Sequence, residues 1–223
     1  MVKILCVLSV VLGAGAFGPA ALALDAAGDG QAGSQEIARI SVERTVAHLG
    51  QPGGFYRTPA YHIALPPQLN DAVRLLAKNY ASTLPVELER AINRAAEDTA
   101  GPAGDYVLKI LPSRALPPVN LSGPTDAVTS ALRKTIAGEF ADALRPIVHA
   151  ALAKANAGDA LERMRVRYES IANAPLPKFD LEAFTVESFG DAFFAGVAQE
   201  EQNIRLRPSA RSTDLLKALF SDK

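Results

Sequence analysis

A chain of 223 residues is long enough for one domain with its own core, and it needs neither metal nor disulfide to hold that core. Its 23 Lys and Arg stand against 24 Asp and Glu, a formal net charge of −1, and the basic residues are spread along the chain. That balance carries no electrostatic footprint for nucleic acid, nor for strong adhesion to an anionic membrane.

Lys3 is the only charge before Asp25. Ile4 to Leu12 is an apolar stretch of h-region length, and Ala21-Leu22-Ala23 forms an A-x-A cleavage pattern. We read residues 1–23 as a signal peptide cut after Ala23, which places the mature chain in the periplasm. A retained anchor is the alternative, but Gly13, Gly15, Gly18 and Pro19 make a poor helix beyond Leu12. Cys6 is no lipoprotein anchor, because the apolar stretch follows it instead of preceding it. Cleavage removes this single cysteine, so the mature chain has no thiol nucleophile, disulfide or cysteine metal site.

Residues 24–33 are small, polar and Gly-rich and read as a flexible leader; the helical domain is expected over 34–223. Ser34 is the expected N-cap of a first helix with Ile37, Ile40, Val46, Ala47 and Leu49 at helical spacing, closed by Gly50. Residues 55–67 lack a helical period and sit between prolines, so a short extended arm packed on helices is predicted there. Leu69, Val73, Leu76 and Tyr80 outline a second helix. Thr83 caps a third, with Leu84, Leu88, Ile92, Ala95 and Thr99 on its inner face. Gly101-Pro102 is expected to break it, leaving a short fourth helix around Tyr106 to Leu111.

The prolines of 112–123 predict a surface loop. A long helix then carries Val128, Leu132, Ile136, Phe140 and Leu144 on one stripe, kinked or divided at Pro146 and continuing to Gly158. Leu161, Met164, Tyr168 and Ile171 mark the next helix, ending before Pro175. Leu181 and Phe184 are followed by Phe189, Phe193, Val197 and Ile204 on another, capped by Thr185 and ended by Pro208. Ser212 or Thr213 caps the last, which docks through Leu215, Leu216, Leu219 and Phe220. With no strand alternation anywhere, the expected fold is all-α, a single multi-helix, bundle-like domain.

The segments HLGQPGGFYRTP and HIALPPQL, ELERAINRAAE, TSALRKT with FADALRPIV, and the C-terminal block running through EEQNIRLRPSARSTDLL occur in the order found in a bacterial family. On these blocks, covering about Gln35 to Phe220, the chain resembles domain of unknown function family 4197. The resemblance implies an exported helical protein of Gram-negative bacteria and no particular chemistry. Two departures stand out: Pro112 to Gly123 replaces a helical segment of the family, and Ala131 stands where the family carries Tyr.

The strongest candidate site is a polar set: Asn93, Arg94 and Glu97 on the third helix, with Glu200, Glu201, Arg205 and Arg211 near the C-terminus. Asn93 and Glu97 share a helix face, and Glu201 with Arg205 has the favourable acid-first i,i+4 order. Such a set suits a salt-bridge and capping network that fixes helix register, a polar ligand site, or acid–base chemistry at Glu97 or Glu200. No metal and no cofactor is expected: a di-iron site needs Glu-x-x-His twice, and Thr45, Pro59 and Pro146 stand three before the three histidines. No G-x-S-x-G elbow and no phosphate-binding glycine motif is present. His48 and His149 read as surface residues, and His62 as a hydrogen-bonded residue of the arm. Phe184, Phe189, Phe193 and Phe194 read as core, the alternative being the lining of a lipid pocket.

The expected function is a non-enzymatic binding or structural module of the cell envelope, its partner an envelope protein or a small molecule. An envelope hydrolase using Glu97 or Glu200 is one rival, and a carrier of an apolar small molecule in the helical core is another.

Overall fold

Among the described residues, apolar side chains recurring every three to four positions fold as seven α-helices. They are α1 (Pro19–Leu49), α2 (Asn70–Lys78), α3 (Thr83–Ile110), α4 (Ala127–Lys154), α5 (Ala157–Ala172), α6 (Leu181–Leu206) and α7 (Asp214–Leu219). The computed structural model describes residues 19–120 and 122–221, and among them there is no strand. The expected h-region and Cys6 lie outside the described residues. No helix among the described residues is long and apolar enough to cross a membrane.

The stripe along α4 is buried as its spacing predicts: Val128, Leu132, Ile136, Phe140, Leu144 and Val148 all lie in the core. Phe140 meets Phe193 and Phe194 with ring centroids 5.4 and 5.3 Å apart, and Phe55 of the arm stacks on Phe189 at 5.7 Å. The aromatic rings of α6 thus pack against one another and against α4, joining helices that are far apart in sequence.

Several boundaries differ from expectation, each for a packing reason. Residues 24–33 are helical, and Ser34 lies inside α1 instead of capping it. The glycines here allow close approach: a Cβ on Gly33 would sit 2.8 Å from Leu219 Cδ2. The Ser34 hydroxyl lies 3.2 Å from Gly30 O and 2.5 Å from Pro117 O, and Gly30 O accepts the Val119 N–H at 3.1 Å. The proline-rich segment 112–120 is therefore tied to α1, with Leu116 buried, and is not a free surface loop. Ala47, at helical spacing in the same helix, is exposed.

Gly101-Pro102 does not break α3, which runs unbroken for 28 residues. An interior proline costs about 3 kcal/mol, and burial of Ala100, Ala103 and Val107 on either side offsets it. The approach to α1 is close there: a Cβ on Gly104 would lie 2.2 Å from Val46 Cγ2. Pro146 likewise sits within α4 without dividing it; the residue is exposed, so the carbonyl it leaves unpaired can face water. That helix ends at Lys154 and not at Gly158, because Asn156 takes a left-handed conformation (φ 53°) suited to a helix stop.

The caps follow the same pattern. Asp180, not Thr185, caps α6, accepting the Ala183 N–H at 2.9 Å; Thr185 is buried and its hydroxyl donates to Leu181 O. Ser82 occupies the N-cap position of α3, one residue before Thr83, without a side-chain cap. Thr213 caps α7 as expected, accepting from Leu216 N at 3.3 Å. Tyr80 lies beyond α2 with φ 57° and a fully exposed side chain, not on the inner face.

Candidate functional site

Residues Gln51 to Thr58 form consecutive turns, and His62 to Pro66 are non-helical chain laid against α3. Gly53 has φ 90°, a conformation costly for a residue with a side chain. Glu97 stabilises this turn: its Oε1 accepts the N–H groups of Gly53 (3.0 Å), Phe55 (3.4 Å) and Tyr56 (3.5 Å). One turn earlier on the same face, buried Asn93 accepts Ile63 N–H at 2.9 Å through Oδ1. It donates through Nδ2 to Ile63 O at 2.7 Å and to Glu89 O at 2.8 Å. Another turn earlier, Glu89 accepts from Leu65 N at 3.4 Å and contacts His62 Nε2 at 3.0 Å. Glu89, Asn93 and Glu97 are therefore one stripe at four-residue spacing that clamps the arm.

His62 is hydrogen-bonded, as expected for it. Its Nδ1 lies 3.0 Å from Tyr56 O while Nε2 faces Glu89. Both ring nitrogens are engaged within the chain, and a neutral ring can donate to only one of these acceptors. Arg94 points out to solvent and makes no hydrogen bond or ion pair with a described residue, so it does not join the set.

The second group serves the other end of the molecule. Glu201 is fully buried. Its Oε1 accepts from Val128 N (3.1 Å) and Arg205 Nε (2.9 Å), and its Oε2 from Thr129 N (2.7 Å) and Thr129 Oγ1 (2.8 Å). Arg205 Nη2 is 2.8 Å from Oε1, close enough for an ion pair but without hydrogen-bond alignment. Val128 and Thr129 are the second and third residues of α4, whose first N–H groups have no partner inside the helix. The preceding Asp126 provides no side-chain cap. A carboxylate of α6 thus caps α4 from across the core, where the helix dipole also favours negative charge.

Arg205 Nη1 donates to Asn120 O at 3.0 Å, fixing the end of the proline-rich segment. Arg211 folds back over the C-terminus of α6, donating to Ile204 O (3.2 Å) and Arg205 O (3.0 Å) while lying over the Phe220 ring at 4.6 Å. It caps the carbonyl end of the helix with a positive charge. The i,i+4 pairing of Glu201 with Arg205 is thus found as the spacing predicts, but no hydrogen bond or ion pair among the described residues joins this group to Asn93 or Glu97.

Glu200 stands apart from both. It is partly exposed, 3.8 Å from Arg44 Nη1 and 3.2 Å from Asn203 Nδ2. Burial, with the Glu200 charge as a second cause, pushes the Tyr61 phenol above its ordinary pKa. His149 is exposed and paired with Glu182, as a surface residue. Among the described residues, no three His, Cys, Asp or Glu side chains are grouped to hold a metal ion. The residues missed from sequence are Glu89, Thr129 and the main chain of Ile63. Glu89 was visible as the third member of the four-residue stripe; the others carry no local signal.

No curated protein and no solved structure matches the chain. The family model described as "Protein of unknown function (DUF4197)" matches residues 27–221, from within α1 to just past α7. With nearly the whole length matched, the chain belongs to the DUF4197 family.

Proposed function

We propose that the protein is a non-enzymatic binding or structural module of the periplasm, exported by a signal peptide cut after Ala23. The observation that carries this reading is the engagement of Glu201. Its two oxygens receive four hydrogen bonds from within the chain, which occupies the lone pairs a carboxylate offers. An acid–base carboxylate needs an oxygen within reach of a substrate proton. Glu97 receives three main-chain N–H groups on Oε1 alone. Asn93 and Arg211 also serve the chain's own backbone. Asn93, Glu97, Glu201, Arg205 and Arg211 thus hold the fold together, and recognition falls to the surface they shape.

Glu200 has a side chain 27% exposed and, among the described residues, accepts no main-chain N–H, so the hydrolase reading is tested on it. The test uses protein isolated from the periplasmic extract of its host and incubated with purified peptidoglycan. The expected mass spectrum begins at Leu24, and no fragments are released by either the wild type or the Glu200→Gln variant. Fragment release by the wild type that Glu200→Gln abolishes would establish an enzyme instead. A chain retaining Met1 in the cytosol would remove the periplasmic assignment.

A further inference from the structure

In extended chain, consecutive residues turn their N–H and C=O groups to opposite sides. Ile63 gives both of its groups to Asn93, and Leu65 gives its N–H to Glu89, so these face α3. The intervening Ala64 N–H and C=O, and the His62 C=O, bond to no described residue, and Ala64 is exposed. One edge of this short segment is therefore fixed by side chains of a helix while the other stands open. Pro59 on one side and Pro66-Pro67 on the other limit how far that edge can pair.

A groove of about 550 Å³ runs beside it, walled by residues 60–67 and by Phe184, Ser188, Asp191, Ala192 and Ala195 of α6. The alanines leave space on the α6 side, and Phe184 supplies apolar surface. No Lys or Arg lines the groove. Asp191 lies on its wall, 62% exposed, and Glu200 acts electrostatically on Tyr61, another lining residue. Asp191 also pairs with Arg133, which approaches from α4.

Building on the reading of the protein as a binding module, we propose that this groove takes a short extended peptide bearing a basic residue, which adds as a strand along Ala64. The peptide residue opposite Ala64 exchanges two main-chain hydrogen bonds with it, the pairing of an antiparallel ladder. Alternate peptide side chains then turn into the groove, and the basic one is drawn to Asp191. The clamp formed by Glu89 and Asn93 holds the edge extended before the peptide arrives, which lowers the ordering cost of binding.

A displayed library of random nine-residue peptides, panned on the full mature chain, tests this, with Ala192→Trp as a filled-groove control. Enriched peptides are expected to carry Lys or Arg and to bind the wild type at least about tenfold tighter than Ala192→Trp. Asp191→Lys, a surface change, should remove the preference for basic residues. Scanning N-methylation along a selected peptide should find a position that costs roughly tenfold, the worth of one or two hydrogen bonds, and bound peptide should shift the Ala64 amide resonance. No enrichment over Ala192→Trp, enrichment of acidic peptides, or binding that leaves the Ala64 amide unchanged would overturn the proposal. Failed panning with inert peptidoglycan overturns the groove and leaves the module reading standing. Peptidoglycan cleavage lost in Glu200→Gln overturns the module reading, whatever the panning shows.

Discussion

Replacing Glu201 with alanine lowers the melting temperature by roughly 10 °C. Removing one partner of a buried ion pair costs about 3–5 kcal/mol, and a domain of this size loses about 2–4 °C per kcal/mol. Two losses combine here: Arg205, 4% exposed, keeps its charge without a counter-ion, and the Val128 and Thr129 N–H groups lose their acceptor. Adding Arg205→Met to Glu201→Ala separates them. The double variant should recover the part due to the stranded charge and still lack the cap, worth about 1 kcal/mol. Thermal melts of the three proteins check this. A Glu201→Ala variant melting within a degree of wild type would show that the carboxylate is not holding α4.

Asn93→Ala should be nearly as damaging and should act locally. It strands the N–H and C=O of Ile63, a residue 4% exposed, and each unsatisfied buried group costs about 1–3 kcal/mol. The arm then loses its central attachment to α3, while Glu97 still holds the turn before it. Limited trypsin digestion reads this directly, because Arg57 is exposed on the arm. Cleavage after Arg57 should speed up about tenfold or more in Asn93→Ala, the shift expected from one to two hydrogen bonds. Cleavage at exposed Arg163 on α5 should stay near the wild-type rate. Asn93→Asp offers no rescue, since a carboxylate accepts from Ile63 N but cannot donate to Ile63 O. Unchanged cleavage after Arg57 in Asn93→Ala would mean that the arm is held by other contacts.

These two residues also show how far the sequence could be read. The burial of Val128, Leu132, Ile136, Phe140 and Leu144 follows from periodicity alone, because a helix has one face toward the core. The Glu201–Arg205 pair follows from i,i+4 spacing for the same local reason. What Glu201 does with its remaining lone pairs depends on the start of α4, 72 and 73 positions away, and no local pattern encodes that distance. Asn93 was legible as a candidate but its target was not, since Ile63 contributes only main chain and every residue type has that.

Helix runs through Gly101-Pro102, where a break is expected, and through residues 24–33, where a flexible leader is expected, for a common reason. Glycine and proline disfavour an isolated helix, but Gly104 and Gly33 let α3 and α1 approach Val46 and Leu219 too closely for any side chain. Packing gained across the helix pair overrides the local preference. Tyr80 failed in the opposite sense: an aromatic at helical spacing from Leu76 reads as core, yet the chain turns at Asn79 and the ring faces water.

Buried polar side chains of α3 and α6 bind main-chain groups belonging to other segments. Amide hydrogen exchange of the wild-type chain tests this at Ile63, Val128 and Thr129, none of which donates to a helix carbonyl. Their exchange is predicted to be as slow, within about tenfold, as that of interior helical amides such as Ile136. Exchange at all three near the rate of an unstructured peptide would contradict it.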